Sequence, residues 1–163
     1  MRTFEIKTLI RECRFEELPE EDRKLVERAK EATKRAYAPF SKYHVGAALL
    51  LENGEVIEGS NQENAAYPSG LCAERTAVFY ASSSHPGVGI KKLAIAAWVD
   101  PGEGKEFEEG FQPHPVSPCG GCRQALIEYE HLYGQFEVIL YGREKTYLLP
   151  SISALLPFGF TDF

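Results

Sequence analysis

His44-Val45-Gly46-Ala47-Ala48-Leu49-Leu50-Leu51, then Glu52-Asn53-Gly54-Glu55, then Val56-Ile57-Glu58-Gly59-Ser60 is the stretch that decides the fold. A strongly apolar strand runs into an Asn-Gly turn, the signal for a tight two-residue loop, and a second strand returns. Upstream, residues 20–36 (EEDRKLVERAKEATKRA) read as a helix. Pro19 and an acidic first turn suit its start, and Lys34 and Arg35 suit its end. Leu25, Ala29, Ala32 and Ala36 form one apolar stripe at helical spacing, widened by Val26. Further upstream, Thr3-Phe4-Glu5-Ile6-Lys7 alternates like a short strand.

Downstream, residues 61–71 are polar and loop-like, and Cys72–Ser82 reads as a helix. Lys92–Val99 (KLAIAAWV) is a near-continuous apolar run, as expected of a strand covered on both faces. Residues 100–117 form a long loop rich in Gly, Pro and acids. A helix over Cys122–His131, strands at Phe136–Tyr141 and Tyr147–Leu149, and a short helix at Ile152–Leu156 complete the chain. A hairpin followed by strand–helix alternation predicts an α/β fold: a mixed sheet with helices on both faces. Sites in such sheets gather at helix starts and strand ends.

The chain has 163 residues, room for a single domain over 1–163 with its own core. Its 44% apolar content argues against wholesale disorder. With 24 acidic and 18 basic side chains the formal charge is −6, which argues against a nucleic-acid partner. No apolar run approaches the ~18–20 residues of a membrane span, and the charged start has no signal-peptide core. The expected compartment is therefore the cytoplasm, with no membrane partner.

Four cysteines are too few for a disulfide scaffold. Cys13, in a charged stretch with no partner nearby, reads as a small half-buried hydrophobe. The other three open predicted helices: Cys72 in Leu71-Cys72-Ala73-Glu74, and Cys119 and Cys122 in Pro118-Cys119-Gly120-Gly121-Cys122. The helix dipole favours thiolate there. Two such helices side by side would gather three thiolates around one zinc ion, leaving the fourth tetrahedral position open, the mark of a catalytic site. A structural zinc ribbon would want a fourth ligand in a second paired motif. Glu74 sits in the first turn, placed to take a proton from water at the metal and hand it on.

A lone C-x-x-C is a weak signal. A first ligand, one residue, a Glu, and later Pro-Cys-x-x-Cys is the zinc deaminase signature. The rival reading, a reversible dithiol at Cys119 and Cys122 with Cys72 merely buried, leaves Glu74 unexplained. Three thiolates and zinc carry formal charge −1, which a nearby cation would offset. Arg75, next to Glu74, is favoured for that task, and Arg123, next to Cys122, is an open candidate.

At these residues the chain resembles the cytidine deaminase family, in its free-nucleoside, homotetrameric branch. The landmarks are Tyr37-Ala38-Pro39-Phe40-Ser41, Gly59-Ser60-Asn61-Gln62-Glu63-Asn64-Ala65, Cys72-Ala73-Glu74-Arg75-Thr76-Ala77, Ser117-Pro118-Cys119-Gly120-Gly121-Cys122-Arg123-Gln124 and Leu155-Leu156-Pro157. The resemblance implies a three-layer α/β/α sandwich with a mixed five-stranded sheet. It implies hydrolysis of cytidine and deoxycytidine to uridine and deoxyuridine with release of ammonia, in pyrimidine salvage. One zinc per subunit would be held by Cys72, Cys119 and Cys122, with Glu74 catalytic. Asn61 and Glu63 would hold the sugar 3′-hydroxyl, the Ala73 N–H the base carbonyl, and the Ser117 C=O the amino group. Phe160 would stack on the base from a neighbouring subunit of a homotetramer. The apolar tail, with Phe158, Phe160 and Phe163, suits a subunit contact. Residues 1–19, an N-terminal extension, and the long loop 100–117 depart from the family pattern. That loop is expected either to cover the pocket or to reshape a subunit edge.

Three other classes compete. A deaminase of another heterocycle is opposed by the Asn61–Glu63 pair, and a polynucleotide-editing deaminase by the net charge. A non-catalytic zinc module would close the fourth position rather than face it with Glu74.

Overall fold

The computed structural model describes residues 1–161, so Phe163 and the expectation placed on it lie outside the described residues. The central hairpin forms as its pattern demands. Strands β2 (His44–Leu51) and β3 (Val56–Ser60) pair antiparallel, with Ala47 opposite Gly59 and Leu49 opposite Ile57. The turn is wider than the Asn-Gly signal predicts. Leu51 N–H donates to Glu55 O (2.9 Å) and Gly54 N–H to Leu51 O (3.0 Å), enclosing residues 52–54. A two-residue type I′ loop needs positive φ at both central residues. Gly54 takes φ 87°, but Asn53 does not enter that region. Its side chain instead accepts from Glu55 N–H (3.0 Å), which holds the three-residue form.

β4 (Ile90–Trp98) lies antiparallel to β2, and β5 (Glu137–Leu140) lies parallel to β4. β6 (Thr146–Leu149) is antiparallel to β5, and β1 (Arg11–Cys13) is antiparallel to β6. Among the described residues the sheet therefore has six strands, not five, in the order β1-β6-β5-β4-β2-β3. The extra strand comes from the N-terminal extension, at residues 11–13 rather than at the alternating Thr3–Lys7. Alternation gives a strand only where a sheet edge receives it. β6 offers that edge to Arg11 and Cys13, while Phe4 and Ile6 stay exposed.

Helix α1 (Glu20–Ala32) covers one face of the sheet. Its Leu25, Val26 and Ala29 pack with Ala48, Leu50, Ala94, Ala96 and Ile139. Helices α2 (Ala73–Ser84) and α3 (Gly120–Tyr133) cover the other, packing with Ala47, Leu49, Leu93, Ile95 and Val138. This is the expected α/β/α layering, with β4 buried between the layers.

Two glycines set how closely the helices approach. A Cβ at Gly46 would lie 2.0 Å from Ala29 O of α1. A Cβ at Gly59 would lie 2.4 Å from Ala73 O and 2.5 Å from Ala77 N of α2. The first turn of α2 thus rests directly on the backbone of β3.

The long loop does not cover the face that carries the three cysteines. Its Phe107 and Phe111 pack into the core on the α1 side. Trp98 Nε1 donates to Phe107 O (2.9 Å). Buried Lys30 lies 5.4, 5.2 and 5.3 Å from the ring centres of Phe15, Phe111 and Tyr141. Its amine pairs with Glu108 (2.8 Å) and Glu27 (2.9 Å). Burial opposes the charge, but the two carboxylates outweigh it and hold the ammonium above its ordinary pKa. One cation thus joins α1, the extension and the loop.

Gly59→Ala tests the close approach. It is expected to destabilise the fold by ~1–3 kcal/mol, as overpacking against fixed backbone does. Urea unfolding checks this, and an unchanged midpoint would contradict the packing described.

Candidate metal centre and active-site cleft

α2 and α3 begin side by side on the same face of the sheet. Cys72 caps α2, Cys119 caps α3, and Cys122 is the third residue of α3. Cys72 Sγ lies 3.8 Å from Cys119 Sγ, and Cys119 Sγ lies 3.5 Å from Cys122 Sγ. All three sulfurs fall within 4.8 Å of one another, and no other such cluster of His, Cys, Asp or Glu occurs among the described residues. Two sulfurs each ~2.3 Å from a tetrahedral zinc ion sit roughly 3.8 Å apart, so the donor set fits zinc in both chemistry and spacing.

The surroundings are built for sulfur anions. Hydrogen bonding from Cys122 brings the Cys72 thiol down to about 5 against the opposing effect of burial, with Arg75 assisting. The same bond, with burial, pushes Cys122 up. An Arg75 terminal nitrogen lies 3.9 Å from Cys72 Sγ, and its buried Nε has no hydrogen-bond partner. Its hydrogen bond to Cys72 holds the guanidinium firmly charged. A buried, unpartnered guanidinium nitrogen here matches the surplus negative charge of three thiolates on a divalent ion.

Glu74, the second residue of α2, is 4% exposed. Burial raises its carboxyl above the usual range, and the charge of Cys72 adds to the effect.

Cys72 and Arg75 also line an open cleft of about 520 Å³, together with Phe40, Asn61, Glu63, Tyr67 and Leu71. Residues 61–63 are extended. Gln62 exchanges backbone hydrogen bonds with Leu71 (2.8 and 2.9 Å), and Glu63 N–H donates to Tyr37 O (2.8 Å). Asn61 Oδ1 accepts from Val45 N–H (2.7 Å), and its Nδ2 donates to Tyr43 O (2.9 Å). Glu63 Oε2 accepts from Phe40 N–H (2.9 Å) and Ser41 N–H (3.2 Å). A hydrogen bond from the Ser41 side chain, aided by these amides, holds the Glu63 carboxyl below its ordinary range. A larger groove of about 720 Å³ lies on the α1 side, floored by Phe15, Leu25, Leu50 and Val56. None of the cysteines lines it, whereas Cys72 lines the smaller cleft, so size does not identify the site here.

The remaining sequence-predicted residues divide. Ala73 is buried and opens α2, where first-turn amides lack intrahelical partners. Ser117 precedes Pro118-Cys119, and its hydroxyl accepts from Arg123 (3.0 Å). Phe160 does not line the cleft of its own chain and is 66% exposed. Arg123 is not held against the sulfurs. It donates to Pro118 O and Leu155 O, both at 2.9 Å, and so ties the Cys119 loop to the C-terminal segment. Two residues that sequence reasoning passed over do similar work. Gln124 bonds the Phe160 backbone, and the buried Glu130 carboxylate accepts from Ile152 N–H (2.7 Å) and Ser153 N–H (3.2 Å). Glu130 is a polar residue among the buried positions Cys122, Leu126 and Ile127, whereas Gln124 carried no local signal.

Residues 19–133 match the family model described as the cytidine and deoxycytidylate deaminase zinc-binding region. The chain belongs to that family. It is 39% identical over 138 residues to the cytidine deaminase of Sporosarcina psychrophila, a match covering 85% of this chain and 90% of the relative. It is 38% identical over 138 residues to that of Halalkalibacterium halodurans, covering 84% and 92%. Among solved structures, the cytidine deaminase of Burkholderia pseudomallei aligns with a TM-score of 0.69 at 35% identity, over 88% of this chain and 100% of that one. Membership in this zinc-binding family and the cluster of three sulfurs agree on the cofactor.

Cys119→Ala is expected to lose zinc, from one ion per chain to nearly none, and to lower thermal stability with it. Metal analysis of the purified variant checks this, and full occupancy would contradict the ligand set.

Proposed function

We propose that this chain hydrolyses cytidine and deoxycytidine to uridine and deoxyuridine with release of ammonia, serving pyrimidine salvage. The observation that carries the reading is the buried Glu74 carboxyl, in hydrogen-bonding reach of Cys122, at a cluster of three sulfurs of which one, Cys72, lines an open cleft. Zinc held by Cys72, Cys119 and Cys122 would supply Lewis acidity that makes water a nucleophile near neutral pH.

The chain's own groups do the rest. Glu74 takes the proton of the attacking water and passes it to ring N3, which readies C4 for the new C–O bond. Glu74 then takes the proton of the new C4 hydroxyl and carries it to the amino group; the C4–N bond breaks as the C4=O bond forms, and ammonia leaves. A carboxyl that both takes and returns a proton works best with a raised pKa, which burial provides. Arg75 offsets the charge of the sulfurs. The Ala73 N–H receives the base carbonyl, and the Ser117 C=O receives the amino group.

Asn61 and Glu63 hold the sugar. Each keeps hydrogen-bonding capacity beyond the bonds that fix it: a second N–H and lone pair on Asn61, and Oε1 on Glu63. The ionised Glu63 favours a 3′-hydroxyl and repels a 3′-phosphate. That preference, with the net charge of −6, fits a free nucleoside better than a polynucleotide.

The exposed Phe160 would complete the site of a neighbouring subunit in a homotetramer by stacking on the base. The cytoplasm is the proposed compartment. No helix among the described residues is long and apolar enough to cross a membrane.

Loss of cytidine absorbance on adding zinc-loaded protein, with ammonia released in equal amount, tests the activity; no conversion would overturn it. Glu74→Gln is expected to keep zinc and fold while turnover falls by ~10²–10⁴-fold or more. Turnover near the parent level would reject the role of Glu74. Glu63→Gln is expected to impair cytidine turnover while leaving binding of bare cytosine unchanged. Equal losses on both would reject the sugar contact.

A further inference from the structure

The C-terminal segment is fastened along α3, the helix that carries Cys122 and is capped by Cys119. Glu130 holds its start at Ile152 and Ser153, and Arg123 holds Leu155 O. Gly159 sits against Ile127 so closely that a Cβ there would lie 2.5 Å from Ile127 Cδ1. The last fastening is the most specific. Gln124 Nε2 donates to Phe160 O (2.7 Å), while Gln124 Oε1 accepts from Phe160 N–H (3.0 Å). Both backbone groups of one residue are thus gripped by one planar amide, across 36 positions of sequence.

We propose that Gln124 is a positioning residue for the reaction, fixing Phe160 so that its ring is presented for stacking on the pyrimidine base. The inference rests on the stacking role proposed for Phe160 and adds what holds that ring in register. Two bonds to one residue fix its backbone in both direction and rotation, which a single bond would not. The chemistry requires an amide: it donates and accepts in one plane, whereas a carboxylate only accepts and an aliphatic side chain does neither. Because Gln124 lies on α3, the ring offered to the neighbouring subunit is registered to a helix packed in the core of its own chain. Ordering the ring in advance saves the cost of ordering it when the nucleoside binds.

The test compares cytidine KM and kcat for the parent, Gln124→Leu, Phe160→Leu and the double variant, with zinc content measured in each. Gln124→Leu is expected to raise KM about tenfold, the order carried by one aromatic–base stack, with kcat little changed and zinc retained. Phe160→Leu should raise KM at least as much, and the double variant should match Phe160→Leu, since both changes remove the same contact. Gln124→Glu, which keeps one of the two bonds, should fall between parent and Gln124→Leu. It decides on the same criteria if Gln124→Leu fails to fold or to hold zinc.

A parent-like KM in the Gln124 variants beside an impaired Phe160→Leu would overturn the positioning role and leave the stacking role standing. A parent-like KM in Phe160→Leu would overturn the stacking role and the positioning role with it. Additive losses in the double variant would show Gln124 acting by another route and overturn the proposal.

Discussion

Everything at the site depends on two helix starts being held within one sulfur-to-sulfur spacing of each other. α2 reaches that position because Gly59 lets its first turn rest on the β3 backbone, where a Cβ would meet Ala73 O at 2.4 Å. α3 packs beside it over the same sheet face, with Leu126 and Ile127 in the core that also buries Ala73 and Ala77. The sulfurs of Cys72, Cys119 and Cys122 then converge without any loop having to fold over them. Three negative groups gathered in this way repel one another. The positive ends of two helix dipoles, the Arg75 guanidinium and a divalent ion are what make the arrangement stable.

Glu74 is buried by the same packing. It follows Cys72 by two positions on α2, so the contact that brings the sulfur to the cluster also carries the carboxyl out of bulk water. Its raised proton affinity is therefore a product of the fold rather than of a separate device. The cleft beside it is walled by the short ribbon 61–63. Asn61 and Glu63 both hold the backbone at the entry to β2 and line the cleft.

Much of this was legible in the sequence because it rests on local chemistry. Periodicity located the hairpin, the three helices and β4, and the spacing of Cys72, Glu74, Cys119 and Cys122 marked the centre. What escaped depended on distant partners. Asn53-Gly54 signalled a two-residue turn, but the Asn53 side chain chose its own Glu55 amide and widened the loop. Thr3–Lys7 had the alternation of a strand, yet the open edge of β6 received residues 11–13. One of the two readings of the long loop had it cover the pocket. Instead its Phe107 and Phe111 were drawn to the α1 side, where buried Lys30 meets aromatic rings from three segments. Arg123 and Gln124 carried no local sign that their partners would be Leu155 and Phe160.

X-ray absorption at the zinc edge of the purified protein tests the central claim most directly. The account predicts three sulfur neighbours at about 2.3 Å and one oxygen near 2.0 Å that exchanges with small competing ligands. A shell of four protein ligands, or fewer than three sulfurs around the ion, would contradict it.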